Sequence, residues 1–188
     1  NDFGLSWQKN SLQLWWSNYL GGFPVYLTQV GFFSPLLFIF YRFFGGFAIY
    51  NWITFFNFVL VGLAMYWLAR NLLLSKTASA ISGLAYMLSQ NHLYWGATLP
   101  FTNVYPFIPL FFLSLLKISQ GRKWWLLFGG LISAHGLAGG ETQIVFYTFA
   151  VGFFWSLFLT YFHNSNYGSI GTAKFKPIFG YLTLVAGG

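Results

Sequence analysis

Between Lys76 and Lys117 the chain runs for forty residues, 77 to 116, without one charged side chain, and residues 43 to 69 form a second charge-free stretch. Such runs cannot meet water on their outer faces. Charged side chains make up 6% of the 188 residues and hydrophobic ones 57%, whereas a soluble domain carries roughly 25% charged residues. Hydrocarbon is the solvent that fits. About 20 apolar residues cross it as a helix, and a helix satisfies its own backbone polar groups where no water is present. The expected fold class is therefore all-α: a polytopic transmembrane helix bundle.

The breaks between runs place the crossings. Helical spans are expected over 46–69, 77–90, 100–117, 124–139 and 142–162, with a truncated sixth over 177–188. The long charge-free run divides at "SQNHLYWGATLPFTN", where polar residues, Gly96 and Pro100 interrupt a helix. The first residue is Asn1 and the last run, "PIFGYLTLVAGG", has about half the length of a spanning helix. Both ends lead us to expect a piece of a longer polytopic protein.

Basic residues orient the bundle. Arg70 and Lys76 bracket one short loop, Lys117, Arg122 and Lys123 a second, and Lys174 and Lys176 lie in a third. These seven of the nine basic residues fall on one side, which the positive-inside tendency makes cytoplasmic. The loops carrying His92 and Glu141 then face outward. A net charge of +7 carried by singly scattered residues fits topology signals better than nucleic-acid binding, and membrane lipids are the expected surroundings. There is no cysteine, so disulfides and thiolate metal sites are excluded.

Residues 1–45 form a separate region, and 46–188 the helical bundle. Within the first, "VGFFSPLLFIFYRFFGG" is apolar but short and is interrupted at Ser34-Pro35. A run of that length suits a re-entrant or interfacial segment, and charge counting does not separate this from a spanning helix.

The chain has two acidic residues, Asp2 and Glu141. Glu141 stands in "GLAGGETQIVFYT", where the glycines allow close backbone approach. A carboxylate near a membrane is a functional-site hypothesis by default; a carboxylate capping the following helix is the equal alternative. Gln143 lies two positions on. His92 lies among aromatic residues in "QNHLYWG", where an interfacial polar residue outweighs a ligand or acid–base role. His135 reads as a hydrogen-bonding group inside the bundle and His163 as a solvated helix end. Three dispersed histidines without ligand spacing give no metal site. Asp2 precedes "FGLSWQKNSLQLWWSNYLGGFP", whose aromatic and amide side chains suit either sugar binding or an interfacial belt; composition favours the belt.

The order of these motifs resembles that of the YfhO-like bacterial membrane proteins. "LWWSNYLGGFPVYLTQVGFFSPLLFIFY" is similar to the first outer loop of that family, "GLAMYWLARNLLLSKTASAISGLAYMLSQ" to a helix, Arg-containing loop and small-residue helix, and "GLAGGETQIVFYT" to its Gly-His-Pro-Gln-x-x-x-Tyr motif. Gln143 and Tyr147 match. Ser17-Asn18 and Glu141-Thr142 stand where the family carries Asn-Pro and His-Pro. The resemblance implies a C-type (GT-C) integral-membrane glycosyltransferase architecture, in which residues 1–45 are an extracytoplasmic loop with a re-entrant or interfacial helix over 31–44. It implies a polyprenyl-phosphate-linked sugar donor, no resident cofactor beyond bound lipid, and an outer-loop acid as general base, the position Asp2 fits. Asp2 and Glu141 are thus the catalytic candidates, with Trp16, Asn18, Tyr19, His92, Gln143 and Tyr147 as substrate-binding candidates. The bacterial cytoplasmic membrane is the implied location.

Three functions remain in competition. The first is transfer of a sugar to an extracytoplasmic acceptor. The second is a non-catalytic structural subunit of a larger membrane complex, held through Phe and Trp surfaces. The third is a transporter using Glu141, disfavoured by the scarcity of other intramembrane ionisable groups.

Overall fold

The computed structural model describes residues 15–16, 23–24, 48–95, 104–139, 141–166, 181–183 and 185. A minimal antiparallel pairing joins β1 (Trp15–Trp16) to β2 (Phe23–Pro24), with Trp15 opposite Pro24 and Trp16 opposite Phe23. The regular structure that follows is helical: α1 (Ala48–Asn71), α2 (Lys76–Met87), α3 (Gln90–Trp95), α4 (Phe107–Ser119), α5 (Trp124–Gly139) and α6 (Thr142–Asn166). The all-α expectation therefore meets one small exception, the β1–β2 pairing. The expected short helix over 31–44 lies outside the described residues.

Two helices, α1 and α6, are long and apolar enough to cross a membrane, over Asn51–Asn71 and Thr142–Thr160. Helix α5 has the bounds expected of its crossing, 124–139, whereas α2 and α4 are shorter than the crossings expected for them. At about 1.5 Å per residue, the 12 residues of α2 and the 13 of α4 reach about 18 and 20 Å, against a hydrocarbon thickness of about 30 Å. The expected helix over 77–90 ends early because the chain turns at Leu88 and Ser89 and restarts as α3. Ser89 Oγ accepts from the His92 amide at 3.4 Å, which supports the new start.

The two basic turns share one backbone solution. At the end of α4, Gly121 adopts a φ of 85° while its N–H donates to Ile118 O and that of Arg122 to Lys117 O. At the end of α1, Leu73 adopts a φ of 67°, its N–H donating to Arg70 O and that of Leu74 to Ala69 O. Both are the paired closure in which a left-handed residue lets orphan carbonyls find donors. Arg70 adds a side-chain hydrogen bond to Leu74 O, and Arg70 and Lys117 place cations where the helix dipole favours them. Ser75 then caps α2, its side chain accepting from the Ala78 amide at 3.2 Å.

Glycines set the helix contacts. A Cβ on Gly83 of α2 would stand 2.7 Å from the Gly62 carbonyl oxygen of α1, so these backbones meet without side chains between them. Small residues allow such approach in helices that gain nothing from apolar burial alone. Gly136 of α5 and Gly152 of α6 accept the rings of Phe107 and Phe111 in the same way, at 3.0 and 2.5 Å from a hypothetical Cβ. The α4 rings and Phe149 form an aromatic cluster, with Phe149 centroids 6.0 Å from Phe107 and 5.3 Å from Phe111. Tyr181 closes over it, donating to Phe149 O at 2.8 Å.

Two kinds of substitution test this packing. Leu73→Gly removes a left-handed strain of about 1 kcal/mol and raises the thermal midpoint, whereas Gly121→Leu introduces that strain and lowers it. Gly83→Ala pushes a methyl into a carbonyl oxygen and costs about 1–3 kcal/mol. Thermal unfolding in detergent or lipid nanodiscs reads all three; an unchanged midpoint for Gly83→Ala would contradict the close backbone contact.

Candidate functional site

Two separate places hold the described candidates. The first is the head of α6. Glu141 immediately precedes the helix, half-buried, and its carbonyl accepts from the amides of Ile144 and Val145 at 3.1 and 3.3 Å. These are the bonds expected of a residue at the N-cap position, so α6 begins where the local sequence says it should. Among the described residues no side-chain hydrogen bond or ion pair holds the Glu141 carboxylate. Two residues on, Gln143 Nε2 donates to Tyr147 Oη at 2.8 Å, and both side chains are exposed. Their four-residue spacing puts them on one helix face. An amide and a phenol that both donate and accept are thus paired at the head of α6, while Glu141, two positions before Gln143, is set at a different angle around the helix.

The second place is the ring of His92. The expectation of an interfacial residue in an open loop is corrected here: His92 sits on α3 with 0% of its surface exposed. Its imidazole lies against Phe58 of α1, centroids 4.1 Å apart, and against Tyr105 just before α4, at 4.6 Å. Nδ1 is 2.7 Å from Met87 O. A carbonyl can only accept, so Nδ1 carries the proton and Nε2 presents a lone pair. Nε2 is buried and, among the described residues, has no hydrogen-bond partner. Burial pushes the imidazolium below its ordinary range, and the smaller effect of the Met87 hydrogen bond opposes it; the residue is neutral at physiological pH.

His92 makes its hydrogen bonds and ring contacts with Met87, Ser89, Phe58 and Tyr105, none of them part of the Glu141 group. Asp2, Asn18 and Tyr19 lie outside the described residues, and only the backbone of Trp16 is described. The structure therefore unites Gln143 with Tyr147, and no hydrogen bond or ion pair among the described residues joins Glu141 to them. Phe58 and Tyr105 were not legible as partners of His92, since no local spacing connects three residues so far apart in the chain. His135 is half-buried in α5. No group of three or more potential metal ligands exists among the described residues.

Comparison with protein-family models, with curated proteins and with solved structures finds no match for this chain. The case for function rests on its own residues.

Tyr147→Phe deletes the exposed Gln143–Tyr147 bond and is expected to alter stability by no more than about 0.5 kcal/mol. An unchanged thermal midpoint would leave this variant free to report on binding. A large loss would show that the pair holds the fold.

Proposed function

We propose that this chain belongs to a polytopic integral membrane protein that transfers a sugar from a polyprenyl-phosphate-linked donor to a hydroxyl acceptor on the outer side of a bacterial cytoplasmic membrane. The observation that carries the reading is the head of α6, where half-buried Glu141 stands two residues before the hydrogen-bonded Gln143–Tyr147 pair. A general base must reach the attacking hydroxyl, and sugar hydroxyls need neighbours that donate and accept. Asp2 takes the role of base implied by the resemblance to YfhO-like proteins, and Glu141, Gln143 and Tyr147 line the acceptor side.

The membrane setting has its own support. Along α1, Trp52, Phe56, Val59, Leu63 and Trp67 form an exposed stripe at helical spacing, and Val151, Phe154 and Phe158 do so along α6. Contiguous apolar faces of this extent suit lipid or another protein and not water. In α6, hydroxyls bond to their own backbone, as Thr148 does to Ile144 O and Thr160 to Ser156 O, both at 2.8 Å.

The same stripes favour a second reading. Only 33% of the α1 span and 28% of the α6 span are buried within the fold, so both present wide faces to which other subunits of a membrane complex would bind. In that case the chain is a structural component without chemistry of its own.

Carboxylate-to-amide variants separate the two. In the full-length protein in membranes, Asp2→Asn is expected to lower sugar transfer at least ~100-fold, the usual contribution of a general base, and Glu141→Gln to weaken acceptor use. Full transfer by the double variant would eliminate the enzymatic reading, as would absence of transfer by the unmodified protein with any polyprenyl-phosphate sugar.

A further inference from the structure

The burial of His92 has a consequence for how the bundle responds to acid. Its ring is the wedge between three elements. Phe58 meets it from α1, Tyr105 from the start of α4, and Met87 O binds it at the end of α2. Among the described residues nothing around it is built for an imidazolium. Phe58 is the ring that α1 places against it; α2 contributes the Met87 carbonyl, already used by Nδ1, and Tyr86, whose hydroxyl donates to Tyr105 O at 3.4 Å. Tyr105 offers its ring, and on α3 itself the other titratable residue is exposed Tyr94. No acidic residue occurs anywhere between Asp2 and Glu141, so none of the helices packed around His92 can supply a counter-ion.

We propose that His92 is a proton-operated latch: neutral, it holds α1, α3 and the head of α4 together, and protonation at Nε2 releases that junction. A second N–H on the buried ring would have no acceptor, and an unpaired buried charge with an unsatisfied donor is disfavoured on both counts. Attraction of the cation to the Phe58 face offsets part of this but accepts no hydrogen bond as a lone pair would.

The direction in pH follows from the sign of the shift. A histidine has an ordinary value of 6.5 and burial lowers that of His92. The neutral form is therefore the one that the folded state favours. The latch contributes its full stability above 6.5 and loses it as the pH falls through the lower, folded value.

The full-length protein in lipid nanodiscs provides the test, taken from about pH 8 to about pH 5. The thermal midpoint of the unmodified protein is expected to fall by at least ~2 °C more than that of His92→Phe, which keeps an aromatic wedge without the titration. Modification of a thiol at buried Val104→Cys by a methanethiosulfonate reagent should rise on acidification relative to the same variant carrying His92→Phe. Should His92→Phe fail to fold, ¹⁵N-histidine NMR of His135→Gln/His163→Gln, which retains His92 alone, decides the matter. A titration midpoint below 6.5 with Nε2 unprotonated at neutral pH is expected. A midpoint at or above 6.5, or superimposable pH profiles for His92→Phe and the unmodified protein, would overturn the latch.

Discussion

The described fold depends on α4 being covered on all sides. It is short, and from Leu113 to Ser119 every residue is buried. That burial is possible because the neighbouring helices present glycine where its aromatic residues project: Gly136 against Phe107 and Gly152 against Phe111. The result is a large-against-small fit in which rings fill the volume that absent side chains leave. Because α4 packs against α5 and α6 with these rings, and Tyr105 at its head meets His92, a shift of α4 would disturb both ends of the candidate chemistry.

Polar groups follow a consistent economy. Several hydroxyls in apolar helices bond within their own helix, as Ser114 does to Leu110 O at 2.8 Å and Ser133 to Gly129 O at 2.9 Å. Such local bonds remove the desolvation cost without needing a partner helix. Charges gather at the helix ends, where Arg70, Lys76, Arg122 and Lys123 flank the turns and Lys117 lies buried in the last turn of α4. Among the described residues the departures from this economy are Thr54 Oγ1, Ser79 Oγ, Trp125 Nε1, Trp155 Nε1 and His92 Nε2, and His92 is the one whose unpartnered atom is an imidazole nitrogen. Buried polar groups without partners are uncommon enough in folded proteins to require a reason, and a titratable latch supplies one for His92.

Much of the helical layout could be read from charge alone. The intervals between Arg70, Lys76, Lys117 and Lys123 delimit α1, α5 and their turns because a charge in an apolar helix is costly and is therefore placed at its ends. The Gly-rich approach to Glu141 likewise marked the start of α6. Legibility failed where structure depends on tertiary contact. The break at Leu88–Ser89 carries neither Gly nor Pro, so the apolar run seemed to continue to residue 90. Leu73 gave no sign of a left-handed conformation, which local sequence assigns to glycine. His92 read as a wet interfacial residue because its neighbours in sequence, Tyr94 and Trp95, suggest a belt, while the residues that enclose it come from α1 and the head of α4. At the head of α6 the spacing of Gln143 and Tyr147 was visible; the hydrogen bond between them follows from helix geometry once α6 is granted.

The proposed function requires that the chain cross a membrane, for which α1 and α6 are long and apolar enough. The natural absence of cysteine makes single-cysteine labelling direct. Cysteines placed at exposed Leu73 and Gln120 in the basic turns, and at exposed Tyr94 and Thr142 at the other helix ends, would be challenged with a membrane-impermeant maleimide on intact cells. Labelling of Tyr94→Cys and Thr142→Cys from outside, with Leu73→Cys and Gln120→Cys reacting only after the membrane is opened, is the predicted result. Equal labelling of all four from outside would contradict the membrane-spanning account.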